Sequence, residues 1–360
     1  MKFVHIADVH LDMPFTTLSN RTGVGELRRT EQREAFKKVI EYIQKNDIPY
    51  LFIAGDLYEQ EYVRESTIQY INNLFKQIPH TRIFITPGNH DPYLKNSFYN
   101  QYPWNDNVHI FSENIEKIEL PECDIYGFGF ENFYLKKDIT QELKIDNKEK
   151  VNILVTHGSL DAGNEKEREY NPFSKKELLA LGMDYIALGH IHKPYYNQEE
   201  NQHIVYPGSM VSLGFDELGS HGMIVGELEK GKLNLEFIPV DPKEFVEKEI
   251  DMTNCYDVEQ LIETINAMEL KNNEYYKIHL IGKRRFEVHI YQILKNIIHK
   301  NIIKIKNKTT LFYDIENIAE EINLKGLFIK EIQQKMQQEN TDKELLEKAL
   351  EIGLEAFDKK

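Results

Sequence analysis

Residues 2–12 read KFVHIADVHLD, an apolar and β-branched run that stops at Asp8, with His10 and Asp12 close behind. A run this short, without helical spacing, reads as a buried strand that ends at a polar turn. The pattern returns in YLFIAGD, RIFITPGN, VNILVTH and YIALGH, which end at Asp56, Asn89, His157 and His190. Between some of these runs lie helical patterns. Residues 26–47 place Leu27, Phe36, Val39, Ile40 and Ile43 near helical spacing, and residues 66–78 behave likewise. Strand, helix, strand in succession implies right-handed crossovers and an α/β sheet.

Beyond Pro207 the pattern changes to GMIVGELEKGKLNLEFIPV, two alternating runs around a Glu-Lys-Gly-Lys turn, which reads as a hairpin closing the first domain. We place the boundary near Pro242, giving a catalytic domain over 1–241 and a smaller α+β domain over 242–335. That second domain reads as helix, strand, helix, strand and helix: VEQLIETINAM, YYKIHLIG, FEVHIYQILKNIIHK, IIKIKNKT and a segment through Ile332. Residues 336–360 form an amphipathic helix, with Thr341 and Glu344 spaced as a capping box and Leu346, Leu350, Leu354 and Phe357 on one face. Such a face packs on its own domain or docks a partner.

Composition sets bounds. Of 360 residues, 41 % are hydrophobic and 29 % charged, which is ordinary for a globular protein and excludes a collagenous or largely disordered chain. His5 and Asp8 interrupt the N-terminal apolar stretch, and no run approaches the ~18 apolar residues of a membrane span, so a cytoplasmic protein without membrane association is expected. Cys123 and Cys255 lack metal-ligand spacing and read as core thiols. A net charge of −15 opposes coating of nucleic acid by the whole surface. Residues 271–310, however, carry ten Lys or Arg against two Glu, a locally basic segment that includes Lys283, Arg284 and Arg285.

The strand ends carry the chemistry. In open α/β sheets ligands bind beyond the carboxyl ends of the strands, so five segments deliver Asp8 and His10, Asp56, Asn89 and His90, His157, and His190 with His192 to one edge. Imidazole, carboxylate and amide donors without thiolate suit manganese, iron or zinc better than magnesium alone. So many ligands call for two divalent ions, and Asp56 at the end of a central strand is the natural bridge between them.

ADVHLD, GDLYE, GNHD, VTHG and GHIH together resemble the calcineurin-like metallophosphoesterase superfamily. Within it, FVHIADVHLDMPF and VYPGSMVSLGFDELGSHG resemble the SbcD-type DNA-repair exonucleases, particularly their YhaO-like branch. The resemblance implies a four-layer α/β sandwich with a smaller DNA-contacting capping domain. It implies one metal held by Asp8, His10, Asp56 and His192 and a second held by Asp56, Asn89, His157 and His190. His90 would then stand over the scissile phosphate as a transition-state stabiliser or proton donor. Many relatives carry Asp three residues after the Gly-Asp carboxylate; here it is Glu59, which either orients His90 or points to solvent. Asp12 and Asp91 are candidates to support ligands or to cap helices, and Lys283, Arg284 and Arg285 are candidates for DNA contact.

The implied activity is a manganese-preferring phosphodiesterase that acts as a DNA exonuclease or endonuclease in double-strand-break repair, a metal-bound hydroxide attacking the backbone phosphate. The implied partners are DNA, a second copy of the chain and an SbcC-like coiled-coil ATPase, since no Walker motif occurs here. Competing readings keep the site but take a small nucleotide or phosphoprotein as substrate, or make the chain a regulatory component of such an ATPase complex.

Overall fold

The computed structural model describes the chain except for residues 19–20, 137–141, 164–168, 197–202, 339–341 and 359–360. It falls into two compact units, Met1–Val246 with Lys271–Tyr275, and Glu247–Leu270 with Tyr276–Lys360.

In chain order the first unit contains β1 (Lys2–Ile6), α1 (Val24–Lys45), β2 (Tyr50–Ala54), α2 (Glu65–Phe75), β3 (Arg82–Thr86), α3 (Phe98–Gln101) and β4 (Val108–Ile110). It continues through β5 (Glu116–Glu119), β6 (Cys123–Gly127), β7 (Val151–His157), α4 (Lys175–Ala180), β8 (Tyr185–Gly189), β9 (Ile204–Val205), β10 (Gly222–Glu229) and β11 (Lys232–Pro239). One sheet has the order β11, β10, β1, β2, β3, β4, and the other β5, β6, β7, β8, β9. Strands β1 to β4 run parallel, as do β6 to β9. The hairpin of β10 and β11 joins antiparallel to β1, and β5 joins antiparallel to β6.

Side chains alternate across a strand, so each sheet has two faces to cover. Phe3, Phe52 and Phe84 of the first sheet share one buried cluster with Ile125, Ile153 and Tyr185 of the second, and the Phe3 and Tyr185 rings lie 4.6 Å apart. The sheets therefore pack face to face. On the other face of the first sheet Val4, Leu51 and Ile83 are fully buried; α1 and α2 cover it with residues such as Val39 and Ile68, their Phe36 and Phe75 rings 6.1 Å apart. Leu154, Ile186 and Leu188 of the second sheet pack against Leu178 of α4. The result is the four-layer α/β sandwich, each large apolar side chain contributing roughly 1.5–3 kcal/mol on burial. Leu27 is an exception on α1, being half exposed.

Two buried polar side chains of this unit meet partners far away in sequence. His5, wholly buried between the sheets, lies 2.9 Å from the Tyr185 hydroxyl. Arg28 of α1, also wholly buried, donates to Asp241, to Glu31 and to the Ser212 carbonyl.

The second unit takes most of β12 (Glu244–Asp251) and β13 (Glu274–Ile281), with α5 (Val258–Asn266), β14 (Lys283–Arg284), α6 (Ile290–Asn296), β15 (Ile302–Asn307) and β16 (Thr310–Leu311). Then follow α7 (Ile315–Glu320), α8 (Leu324–Met336) and α9 (Lys343–Asp358). β13 lies between β12 and β15 and runs parallel to β15, while β14 pairs with β16. The helix expected over FEVHIYQILKNIIHK is shorter than its apolar pattern: it ends at Asn296, where Ile297 turns extended. The single helix expected through Ile332 is two, because Asn323 caps α8 by accepting from the Gly326 amide. Leu354 of α9 packs on Ile329 of α8, and the Phe357 and Phe328 rings are 5.8 Å apart. Thr341 of the capping box lies outside the described residues.

Candidate metal centre

His157 closes β7, and Asp8, Asp56, Asn89 and His190 stand in the loops leaving the carboxyl ends of β1, β2, β3 and β8. The parallel strands of both sheets thus empty into one place. The bends there are sharp: Asp8, His10, Asp56 and His190 have φ of 49°, 49°, 54° and 107°. Left-handed backbone costs a non-glycine residue of order 1–3 kcal/mol and persists where surrounding structure enforces it. Gly55, at φ 88°, is required, since a Cβ there would lie 2.2 Å from His157 Nδ1.

The anchoring of each imidazole sets which nitrogen faces inward. His157 Nδ1 donates to the Ala54 carbonyl at 2.8 Å, leaving Nε2 3.0 Å from Asn89 Oδ1 and 3.4 Å from Asp56 Oδ2. His10 Nδ1 donates to Glu59 at 2.8 Å and His192 Nδ1 to Glu217 at 2.6 Å, so their Nε2 atoms face each other across 3.2 Å. His190 Nδ1 approaches Asn89 Oδ1 to 3.1 Å. Donor atoms of Asp8, His10 and His192 lie within 4.8 Å of one another, as do those of Asp8, Asp56 and His157, and those of His10, Asp56 and His90.

The electrostatics are those of a cation site. Burial pushes the Asp8 carboxyl up, while Asp56, despite its burial, is held well below the usual range by His157 and His10. Burial opposes charge on His157 and His192, yet Asp56 for the first and Glu217 with Asp8 for the second raise both to about 9. Burial and neighbouring His157 push His190 down to about 3. Protons on imidazoles thus do what a divalent cation would do between Asp8 and Asp56, and the inward Nε2 atoms are the donors such an ion would take. The residues present fit a pair of divalent ions.

Other residues support these. Asp91 accepts from the amides of Asp56, Leu57 and Gly88 at 3.0, 2.6 and 2.7 Å and from the Tyr99 hydroxyl at 2.5 Å, tying the loops after β2 and β3 together. Asp12 accepts from Arg33 and Thr67, at 2.8 and 2.5 Å, and so braces α1 against α2. Glu59 spans two imidazoles, for His90 Nδ1 donates to its Oε2 at 3.0 Å. Although burial works against it, the bonds from His10 and His90 hold Glu59 down to about 2; burial likewise opposes charge on His90, which the Glu59 bond raises to about 9. His90 lines an open cleft of about 350 Å³.

Glu217 had no motif to announce it. It also accepts from Ser209 Oγ at 2.8 Å and the Leu213 amide at 3.0 Å, and Ser209 Oγ lies 2.9 Å from His221 Nδ1. Its place in FDELG, beyond the last histidine pair, is the only sequence signal. Lys283, Arg284 and Arg285 belong to the second unit. Lys283 is exposed, Arg284 donates to Thr309, and the Arg285 guanidinium sits 3.5 Å above the Phe312 ring centre.

Residues 1–194 match the model of the calcineurin-like phosphoesterase family. The chain belongs to that family. Calcineurin-like phosphoesterases hydrolyse phosphoesters with divalent metal ions, and the cluster described above is where this chain would hold them. It is similar to the metallophosphoesterase YhaO of Bacillus subtilis, 27 % identical over 74 % of this chain and 66 % of the relative, just under two thirds of that protein's length. It is also similar to the SbcD component of the SbcCD nuclease of Staphylococcus epidermidis, 28 % identical over 77 % of this chain and 78 % of the relative. The same component of the Staphylococcus saprophyticus nuclease is 25 % identical over 86 % and 85 %. Among the described residues no helix is long and apolar enough to cross a membrane.

Proposed function

We propose that this phosphoesterase is a DNA nuclease, cutting backbone phosphodiesters as an exonuclease or endonuclease in the repair of double-strand breaks. The observation that carries the reading is His90, next in sequence to Asn89, lining an open cleft with its Nδ1 occupied by Glu59. Only Nε2 is then left for substrate. An imidazole so oriented can steady charge on the phosphate or give a proton to the leaving oxygen. The similarity to the SbcD component of two SbcCD nucleases supports DNA as the substrate.

Two ions, held by Asp8, His10, Asp56 and His192 and by Asp56, Asn89, His157 and His190, would supply charge neutralisation at the phosphate and a nucleophile at neutral pH. Nitrogen and oxygen donors without thiolate suit manganese, iron or zinc, and manganese is the ion of this proposal. Glu59 keeps His90 and His10 in register, Glu217 holds His192, and Asp91 keeps the two loops from separating. The second unit would cap the DNA through its basic segment, a second copy of the chain would complete a dimer, and an SbcC-like coiled-coil ATPase would supply the ATP hydrolysis for which this chain has no motif. The place of action would be the cytoplasm.

The test is cleavage of a 5′-labelled duplex and of a single-stranded circle with Mn²⁺, Mg²⁺ or EDTA, comparing wild type with His90→Ala. Manganese-dependent cleavage that the variant loses supports the reading. The net charge of −15 favours a second one, a small phosphodiester substrate. Hydrolysis of bis-p-nitrophenyl phosphate with no DNA cleavage would select it.

A further inference from the structure

The cleft beside His90 is walled by aromatic rings that neither the metal centre nor the core uses. Phe133, Tyr134 and Tyr62 are 37 %, 53 % and 51 % exposed, although each stands within the same small cleft as Asn89 and His90. Scattered exposed rings are common; three gathered at the mouth of a catalytic cleft mark a ligand surface.

Tyr134 is held in place against a fourth ring of the cleft, Tyr170. The Leu135 amide donates to the Glu169 carbonyl at 2.9 Å, and the Asn171 amide to the Leu135 carbonyl at 2.6 Å, which pins the segments bearing Tyr134 and Tyr170 side by side. Their rings stack with centroids 5.9 Å apart and an interplanar angle of 29°. Tyr170 in turn lies 5.0 Å from the ring of His190 at 36°. A ladder of tilted rings therefore leads from a metal-ligand histidine out to solvent. Among the described residues lining the cleft there is no Lys or Arg, so its wall is built for a flat π face and not for a second phosphate.

We propose that Tyr62, Phe133, Tyr134 and Tyr170 form a stacking subsite for one unpaired nucleobase, attached to the phosphate that reaches Asn89 and His90. This rests on the reading of the substrate as a nucleic acid or nucleotide. The cavity, about 350 Å³, falls in the ~300–1,000 Å³ range of small-ligand sites. Within a duplex both faces of a base are already covered by its neighbours, so only a frayed, extruded or single-stranded base can present a face to Tyr134. The subsite would select strand ends and single strands over the duplex interior.

Two measurements separate this subsite from the nuclease reading. In the first, 2′-deoxyadenosine 5′-monophosphate and base-free 2-deoxyribose 5-phosphate are titrated calorimetrically into wild type, Tyr134→Ala and Tyr134→Phe. The nucleotide is expected to bind roughly ten-fold or more tightly than the sugar phosphate, Tyr134→Ala to erase most of the difference, and Tyr134→Phe to keep it. Equal binding of the two ligands to wild type overturns the subsite, whether or not DNA is cut. The second measurement compares cleavage of a single-stranded oligonucleotide with one carrying an abasic residue next to the cut position. A preference for the intact strand that Tyr134→Ala loses supports the subsite, and equal cleavage of both strands by wild type overturns it. A nucleotide preference in the first measurement without any DNA cleavage would overturn only the nuclease reading.

Discussion

His10 and His192 meet through their Nε2 atoms at 3.2 Å, each ring anchored at its far side by a carboxylate, Glu59 or Glu217. Two imidazole lone pairs cannot face each other at that distance without a proton or a cation between them. Manganese should therefore stabilise the fold measurably, by about 2.7 kcal/mol once its concentration is about a hundred times Kd, and EDTA should remove the gain. Thermal unfolding with and without Mn²⁺ reads this directly. Glu217→Gln leaves His192 without its charged anchor and should weaken metal binding roughly 10- to 100-fold by calorimetry; an unchanged affinity would show that the contact is idle.

Glu59 touches both His10 and His90, at 2.8 and 3.0 Å, and so links metal binding to the group facing substrate. His90→Ala should lower kcat on a phosphodiester by about 10²–10⁴ with metal affinity little changed. Glu59→Gln should lower both, because a single carboxylate orients both rings. Steady-state kinetics paired with metal titration tells the two variants apart, and a Glu59→Gln protein with full kcat would remove Glu59 from the site.

Arg28 is buried among Glu31, Asp241 and the Ser212 carbonyl. Burial disfavours its charge, but Asp241 and Glu31 overcome this and raise its pKa further. Arg28→Ala strands two carboxylates in the interior and should cost about 3–5 kcal/mol, seen as a lower urea midpoint. A loss below about 1 kcal/mol would mean that water reaches the vacated site.

Burial pushes the His5 imidazole down to about 3, against about 6.5 in the unfolded chain. The neutral ring therefore contributes stability that is fully present above pH 6.5 and is lost as pH falls towards 3. The loss should approach about 1.4 kcal/mol per pH unit below 6.5. His5→Phe should remove that share of the slope between pH 6 and pH 4 in denaturant titrations, and an unaltered slope would place the acid sensitivity elsewhere.

Much of the fold is legible along the chain because it is local. An apolar run that halts at a ligand-type residue reports both the strand and its polar end, as at Asp56 and His157, and the β10–β11 hairpin announces itself through alternation and a Gly turn. Helix limits in the second unit were less legible. The apolar pattern carries on past Asn296 and through Glu321 to Asn323, whereas local backbone preferences and a side-chain cap end the helices there.

The types of donor that gather at the strand ends, and therefore the class of chemistry, could be read from residue identity and order, since coordination preference belongs to the side chain itself. Which nitrogen of each histidine turns inward could not. It depends on anchors distant in sequence: Ala54 lies 103 residues from His157, and Glu217 lies 25 from His192. The reach of Glu59 to His90, left open by its extra methylene, depends on how the loop backbones pair, with the Gln60 amide donating to the His90 carbonyl at 3.0 Å. Hydrogen-bond geometry of this kind arises only when neighbouring strands pair and the two sheets close on each other, and one-dimensional patterning carries no record of it.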